Sequence, residues 1–386
     1  MPEAVIVSTA RTPIGRAGKG SLVSARPDDL VGFAIKEALA KVPNLDPNEV
    51  EDVMLGCGFP EEEQGMNAGR RVGALAGLVD VPGTTVNRFC ASSLQTIRMA
   101  FHAIKAGEGD VFVAAGVESI SRVPQVPRGA MTGDFSAFHP DQGGTDFTKF
   151  YMPMGITAAN VADRYNVSRE DMDIFGKRSQ DRAVAAQERG FFDHEISPYT
   201  LADGTVVSKD DGPRAGTTLE KLAELKAIFG DKITAGNACP LNDGGAAVVV
   251  MSEERANQLG VTPLARIVAS SVTGLDPEIM GVGPIEAIKT VLKRANMTTD
   301  DIDQFELNEA FAAQVIASLR EVGVDPFDDR VNPNGGAIAL GHPYGMTGAR
   351  IMGTLLNGLR ENGKRFGLET MCVGGGQGMA MIVERL

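Results

Sequence analysis

Two cysteines and one histidine provide the reactive side chains whose surroundings suggest chemistry. Cys90 lies in NRFCASSLQTI, between an extended segment and a helix that we expect to begin near Ala91. Unpaired amides at a helix N-terminus favour the thiolate form of such a thiol. A lone cysteine is more often a buried, unreactive residue of the core, so its position alone does not identify Cys90 as a nucleophile.

An internal repeat pairs Cys90 with a histidine. His342, in GGAIALGHPYG, follows Cys90 by 252 residues. The segment VEDVMLG, ending at Gly56, is echoed at the same offset by IDQFELN, ending at Asn308. If the two halves pack about a pseudo-twofold axis, the junctions that carry Cys90 and His342 face each other. A cysteine with a histidine in reach is the minimal activated nucleophile.

The second cysteine of interest precedes a run of glycines. Cys372 ends a predicted strand and leads into GGGQG, which begins at Gly374. This run lacks the lysine of a phosphate-binding loop, so we interpret it as a loop whose amides approach a reacting carbonyl oxygen. Asn308, in NEAF, also ends a strand, where it can orient a water or donate to an oxyanion. An ordinary turn asparagine is the competing interpretation.

The elements that must position these residues alternate between strands and helices. This order predicts a mostly parallel sheet flanked by helices, in two copies of about 120 residues. We expect strands from Ala4, Asp52, Asp110, Ala265, Asp303 and Arg365, and helices over 28–41, 91–106, 284–295 and 345–359.

One copy is interrupted by an insertion. The strand ending near Glu118 reaches its counterpart at Gly244–Met251 only after the segment 121–240, which has helical patterns at 156–165 and 169–189. The predicted domains are therefore 1–120 with 241–262, the inserted 121–240, and 263–386. Ligands usually bind at the carboxyl ends of strands in such sheets, which favours a lid or a substrate-binding excursion. A structural appendage is the alternative.

Composition excludes several classes of function. The net charge of −13 argues against nucleic acid as a main partner. No segment approaches the roughly 18 apolar residues of a membrane span, and the N-terminus lacks the pattern of a secretory signal. The cysteines lack paired CxxC spacing, and no metal-binding constellation is evident, so we expect no metal and a reducing cytoplasm. The cysteines are Cys57, Cys90, Cys239 and Cys372.

At this point the motifs are recognisable together. NRFCASS, NEAF, GGAIALGHP and CVGGGQG, in this order, resemble the thiolase family over essentially the whole chain. The resemblance implies an α/β fold: two βαβαβαββ-type halves packed as an αβαβα layered sandwich, with 121–240 as a loop domain for coenzyme A binding and assembly. It also implies a cytoplasmic homodimer or homotetramer, with a hydratase–dehydrogenase subunit as a partner of some members.

The activity implied by the resemblance is thiolytic cleavage of 3-ketoacyl-CoA to acetyl-CoA and a shortened acyl-CoA, as in fatty-acid β-oxidation. Coenzyme A is then a substrate and no cofactor is needed. Cys90 would attack the ketone carbon, and His342 would take the thiol proton and, with a water held by Asn308, polarise the thioester oxygen. Cys372 would protonate the leaving enolate and deprotonate incoming coenzyme A. The amides of Cys90 and Gly374 would stabilise the oxyanion on the acyl-cysteine. Both thiols are expected to be tuned toward neutral pH.

Three departures from the family pattern bear on the substrate. Pro153 stands where many biosynthetic members have a histidine, Cys239 where they often have a serine, and Lys226 where an arginine often lies near the coenzyme A nucleotide. Lys226 and Cys239 are thus candidates for coenzyme A contacts. The candidates to line the acyl pocket are Met154, Met280 and Phe311.

Several alternatives remain open. Acetyl-CoA acetyltransferases condense two acetyl-CoA molecules by the same mechanism. A ketoacyl synthase shares the duplicated fold but typically relies on a cysteine with two histidines. A non-catalytic lipid carrier of the same fold would be expected to have lost its nucleophile or base.

Overall fold

A computed structural model describes residues 2–123, 149–150 and 152–386. The Pro- and Gly-rich stretch at 124–144 lies outside the described residues. The first half contains β1 (Ala4–Arg11), β2 (Gly15–Arg16), α1 (Pro27–Ala40), β3 (Asp52–Cys57), α2 (Ala68–Leu75), β4 (Gly83–Val86), α3 (Ser92–Ala106) and β5 (Val111–Ser119). The insertion contributes α4 (Met154–Arg164), α5 (Arg169–Glu188), β6 (Tyr199–Thr200), β7 (Val206–Val207) and α6 (Leu219–Ala223).

The chain then returns to the first half with β8 (Asn242–Ser252) and α7 (Glu253–Leu259). The second half contains β9 (Ala265–Gly274), α8 (Pro284–Ala295), β10 (Gln304–Leu307), α9 (Ala312–Glu321), α10 (Ala337–Leu340), α11 (Thr347–Glu361), β11 (Phe366–Val373) and β12 (Gln377–Arg385).

The strand order is mirrored between the halves. In the described chain the order β4-β3-β5-β8-β1 continues as β9-β12-β11-β10. In each half one antiparallel strand, β8 or β12, separates the first strand from a parallel group. The two groups meet where Val5 and Ile6 pair with Arg266 and Ala265, which makes one continuous sheet. This mirrored order confirms the duplication inferred from the sequence.

The continuous sheet folds around a central helix layer. Helices α3 and α11 pack against each other, and Leu94 and Leu355 share one apolar core with residues from the sheets of both halves. Helices α1 and α2 cover the outer face of the first half, and α8 and α9 cover that of the second. The result is the predicted αβαβα sandwich. Strands β1 and β8 are buried along their whole length because helices cover both faces, which explains their nearly unbroken apolar runs.

The described part of the insertion packs on the second half. Val161 of α4 and Phe175 of α5 belong to the same apolar cluster as the outer helices of that half. On the other side, the buried Arg11 of β1 forms ion pairs with Glu195 and Asp210 of the insertion. Helices α4 and α5 lie within two residues of their predicted bounds.

The structure corrects two details of the sequence interpretation. The strand predicted from Asp303 ends at Leu307, so Asn308 lies just beyond the sheet. The sequence pattern does not predict helices α2 and α9, because short helices owe most of their stability to tertiary packing rather than to local sequence. No helix in the described part of the chain is long and apolar enough to cross a membrane.

Candidate active site

Cys90 sits in a single tight turn directly before α3. The turn spans Phe89–Ala91, and Phe89 adopts a left-handed backbone conformation with φ of 42°. Non-glycine residues rarely adopt this region, and such strain is concentrated at functional sites. The Cys90 side chain is 8% exposed and lines a cavity of about 140 Å³. The thiol is thus nearly buried but reachable from one side.

Burial, rather than the helix N-terminus, dominates the acidity of this thiol. Burial, with a smaller contribution from the carboxylate of Glu118, raises the pKa of Cys90 to about 12, although the backbone N–H groups of Cys90 and Gly374 oppose both effects. The expectation that both thiols are tuned toward neutral pH is therefore wrong. Burial also raises the pKa of Cys372 well above its usual range. Desolvation disfavours the charged thiolate more than the nearby N–H groups favour it.

The glycine-rich loop holds its amide beside the nucleophile. It forms the tight hairpin turn between β11 and β12, where Val373 pairs with Gln377. The Gln377 side chain accepts a hydrogen bond of 2.7 Å from Arg88, two residues before Cys90. This contact ties the hairpin to the nucleophile turn. The backbone N–H groups of Cys90 and Gly374 both act on the Cys90 thiol, and an oxyanion hole for an acyl group on this sulfur needs two such donors.

His342 is completely buried and held in one tautomer. Its Nδ1 lies 2.6 Å from the hydroxyl of Thr347, and that hydroxyl donates to the carbonyl of Pro343 at 2.7 Å. The hydroxyl can therefore only accept from the ring, which places the proton on Nδ1 and makes Nε2 an acceptor. Nε2 lies 3.2 Å from the Asn308 side-chain nitrogen, which donates to it. Burial lowers the pKa of His342 to about 3, with Arg350 adding to the shift, so the imidazole is neutral.

The turn after His342 reaches the nucleophile through a close backbone approach. A side chain at Gly345 would place its Cβ 2.2 Å from the carbonyl oxygen of Val117, so only glycine fits. The adjacent Tyr344 lines the cavity of Cys90 and packs edge-on against the His342 ring, with centroids 5.0 Å apart. The structure therefore brings the two predicted junctions together. Among the described residues, no direct hydrogen bond joins Cys90 to His342.

Cys372 is completely buried near Cys90. Its thiol lies 2.8 Å from Oε1 of Gln314, and Gln314 in turn donates to the Asn308 carbonyl at 3.1 Å. The thiol is within electrostatic range of both Cys90 and Cys239. The predicted residues Cys90, Cys372 and Asn308 thus belong to one site.

Glu118 anchors the loops around the nucleophile. It is fully buried, and its carboxylate accepts hydrogen bonds from the backbone N–H groups of Gly58, Phe59 and Gly345. The Gln64 side chain donates a fourth hydrogen bond at 2.7 Å. Burial raises the pKa of Glu118, and these donors oppose that effect. Two walls of the cavity are therefore fastened to a single buried carboxyl group.

Apolar side chains line the rest of the cavity. Every described side chain that lines it is neutral; the larger ones are Phe59, Phe89, Phe150, Met152, Met154 and Tyr344. Of the predicted pocket residues, Met154 lines this cavity. Met280 and Phe311 instead form a small apolar cluster with Cys239 and Cys372, and Met154 packs against that cluster as well.

A separate groove leads from the surface to Cys239. It has a volume of about 340 Å³, and its lining includes the guanidinium groups of Arg16 and Arg214. Neither guanidinium forms an ion pair within the described part of the chain. Burial and the neighbouring Arg16 charge lower the pKa of Arg214, as expected for two like charges without a counterion. Lys226 is exposed on the rim beside the lining residue Leu225 but does not itself line the groove.

Sequence reasoning missed five residues of this site. Glu118 lies near the carboxyl end of the apolar strand β5, a location that offered a usable signal. Gln314 is a buried polar residue between the apolar residues Ala313 and Val315 of α9, which is a weaker signal. Thr347, Arg16 and Arg214 gave none, since their partners are set only by the fold. No group of three or more histidine, cysteine, aspartate or glutamate residues in the described chain is arranged to hold a metal ion.

Comparisons with known proteins agree with this geometry. Residues 4–254 match the model of the thiolase N-terminal domain, and residues 261–385 match that of the thiolase C-terminal domain. The chain is 45% identical to a β-ketoadipyl-CoA thiolase of Acinetobacter baylyi and 44% identical to a 3-ketoacyl-CoA thiolase of Bacillus subtilis, each over the full length of both chains. The crystal structure of the Bacillus anthracis acetyl-CoA acetyltransferase superposes with a TM-score of 0.90 at 40% identity, covering 100% of this chain and 99% of that one. The chain thus belongs to the thiolase family and is an acyl-CoA acyltransferase.

Proposed function

We propose that this enzyme catalyses thiolysis of 3-ketoacyl-CoA substrates with a neutral acyl chain. The proton of Cys90 passes to Nε2 of His342 as the sulfur attacks the ketone carbon. The oxyanion that forms on this carbon is stabilised by the amides of Cys90 and Gly374. Because the thiol pKa is high and the imidazole pKa is low, proton transfer accompanies attack instead of preceding it.

Collapse of this intermediate breaks the carbon–carbon bond between C2 and C3. The acyl group stays on Cys90, and acetyl-CoA leaves as an enolate that takes the proton of Cys372 at C2. The resulting Cys372 thiolate then removes the proton from incoming coenzyme A. The coenzyme A thiolate attacks the acyl-cysteine, and Cys90 leaves and recovers its proton from His342. Two buried thiols close to each other in one site suit this division of roles.

The groove of Arg16 and Arg214 is suited to the anionic end of coenzyme A. Guanidinium groups bind phosphate well, and two of them without a counterion attract an anionic ligand. The groove reaches Cys239, which packs beside Cys372, so a thiol bound along it would end near the proton-transferring residue. This arrangement supports coenzyme A binding from the groove side and acyl binding in the cavity of Cys90.

The apolar lining of that cavity carries the choice of acyl group. A carboxylate buried there would lose hydration without gaining a cationic partner from the described lining, at a cost of several kcal/mol. An aliphatic tail would instead gain about 0.8 kcal/mol per buried methylene. We therefore infer a medium or longer aliphatic 3-ketoacyl-CoA as the substrate.

A second candidate substrate follows from the relatives. Several relatives more than 40% identical over their full length are named β-ketoadipyl-CoA thiolases, which favours an acyl chain ending in a carboxylate. A matched pair of substrates separates the two ideas. 3-Ketohexanoyl-CoA and 3-ketoadipyl-CoA have equally long acyl chains and differ in a terminal methyl against a carboxylate.

We expect kcat/KM to be about 100-fold or more higher for 3-ketohexanoyl-CoA, corresponding to roughly 2.7 kcal/mol. It should rise further for 3-ketooctanoyl-CoA. A preference for 3-ketoadipyl-CoA would refute the neutral-chain assignment, and a preference for acetoacetyl-CoA would favour the acetyltransferase.

Substitutions of the two cysteines test the residue roles. Cys90→Ala should abolish acyl-enzyme formation. Cys372→Ala should leave acylation by an activated acyl donor intact but stop turnover.

A further inference from the structure

Gln314 is a buried polar residue that contacts the second thiol. It lies on α9 with no exposed surface, and its helical neighbours Ala313, Val315 and Ile316 all belong to an apolar core. Burying an amide among such residues costs free energy unless both of its ends form hydrogen bonds. Here one end faces Cys372 and the other faces the Asn308 backbone.

The orientation of the Gln314 amide is fixed by its partners. The carbonyl oxygen of Asn308 can only accept, so the amide nitrogen at 3.1 Å must be the donor. The amide oxygen therefore faces Cys372, and a contact of 2.8 Å requires the thiol to donate its proton. The direction of the S–H bond is thus determined by a backbone carbonyl on the far side of the glutamine.

The same contacts link the two reacting ends of the site. Nε2 of His342 accepts from the side chain of Asn308, the carbonyl of Asn308 accepts from Gln314, and Gln314 accepts from Cys372. Each link is buried. The position of the second thiol is thereby coupled to the position of the histidine through one asparagine residue.

We propose that Gln314 is a positioning residue that keeps Cys372 protonated and aligned for proton transfer at the substrate carbon. This inference rests on the proposed function, in which Cys372 is the acid and base. A carbonyl oxygen at 2.8 Å stabilises the S–H form and repels a thiolate. After Cys372 has given its proton to the enolate, the same repulsion drives it to recover a proton from coenzyme A. Burial raises the pKa of Cys372 well above its usual range, and the Cys90 and Cys239 thiols add to that shift. A Gln314 N–H facing the sulfur would lower the pKa instead, but the Asn308 carbonyl already holds the amide nitrogen, so the oxygen faces the thiol.

Two half-reactions separate this role from a structural one. Acylation of Cys90 is followed as the burst of 4-nitrophenol from 4-nitrophenyl acetate, whose leaving group needs no protonation. Proton transfer through Cys372 is followed as deuterium incorporation into the methyl group of acetyl-CoA in D₂O, by mass spectrometry. Gln314→Met replaces the glutamine with a side chain of similar size that can form neither hydrogen bond. It should slow deuterium incorporation about 10- to 100-fold, as expected for a misaligned reacting group, and change the burst rate less than threefold.

Gln314→Glu provides a pH-dependent rescue. A neutral carboxyl can donate to the Asn308 carbonyl and accept from Cys372, whereas a carboxylate cannot donate and repels the thiolate. Deuterium incorporation by this variant should be close to wild type at low pH and fall as the carboxyl ionises, while the burst is unchanged. Ser318→Ala, which alters another buried polar residue of α9, is the matched control and should change neither rate.

Equal loss of both half-reactions in Gln314→Met would indicate a structural role and overturn the inference. Unchanged deuterium incorporation in that variant would overturn it as well. Failure of the proposed function looks different, since it would appear in the cysteine variants, independently of Gln314. In that case Cys90→Ala would retain the burst, or Cys372→Ala would retain deuterium incorporation.

Discussion

Replacing Glu118 by glutamine tests whether one buried carboxylate holds the walls of the active site in place. Its four N–H partners are Gly58, Phe59, Gly345 and Gln64, at 2.7 to 3.2 Å, and the Cys57 thiol lies 3.9 Å from the same carboxylate. All four are donors, so both carboxylate oxygens must accept. A glutamine has the same shape but offers one accepting oxygen, and its amide group is a donor that faces other donors.

The expected loss of stability follows from this count. Each carboxylate oxygen accepts two of the four hydrogen bonds, so the glutamine amide group leaves two buried donors without an acceptor. An unsatisfied buried donor costs about 1 to 3 kcal/mol, so Glu118→Gln should lower the free energy of unfolding by about 2 to 6 kcal/mol. The free energy is measured by urea titration at neutral pH.

The matched control is Glu369→Gln, the same change at an equally buried glutamate. Neither carboxyl oxygen of Glu369 has a hydrogen-bond partner among the described residues, and burial raises the pKa of this group well above its usual range. Because its pKa is higher in the folded state, the group contributes its full stabilisation of the folded protein below the unfolded-state pKa. This contribution is lost as the pH rises through the folded-state pKa. Glutamine removes that dependence, so Glu369→Gln should not destabilise the protein. Its stability relative to wild type should increase with pH.

A second measurement on Glu118→Gln follows the reactive thiol. The Glu118 charge raises the pKa of Cys90, so its removal should lower that pKa and speed alkylation of Cys90 by iodoacetamide at a fixed pH. The reasoning would be refuted if Glu118→Gln were as stable as wild type. It would also be refuted if Glu369→Gln were destabilised to the same extent.

Three further predictions concern the histidine, the groove and the nucleophile. Thr347→Val removes the acceptor that fixes the His342 tautomer and should slow acylation about 2- to 15-fold, measured as the 4-nitrophenol burst; an unchanged burst would contradict the assigned tautomer. Arg16→Ala together with Arg214→Ala should raise KM for coenzyme A about 5- to 10-fold with kcat retained, whereas KM for pantetheine, which lacks the nucleotide phosphates, should not change. Because the pKa of Cys90 is about 12, its alkylation rate should keep rising between about pH 7 and pH 10; a plateau near the ordinary thiol pKa of about 8.5 would contradict the effect of burial.

The sequence determined the architecture and the reacting groups. Strands and helices were predictable because apolar residues recur with the period of each element, and the duplication was visible as a constant offset of 252 residues. That offset is sufficient to pair Cys90 with His342. The family motifs then added Cys372 and Asn308. Periodicity, offset and motifs are all properties of residue order along the chain, so the sequence contains them in full.

Only the tertiary structure decided how the site is tuned and supported. The acidity of Cys90 was expected to follow the helix N-terminus, but the packed environment removes water from the thiol and reverses the direction of the shift. Gln314 and Glu118 act through partners that are distant along the chain, and Arg16 meets Arg214 only across the groove. Desolvation and long-range hydrogen bonds arise when the chain folds, and no local pattern encodes them.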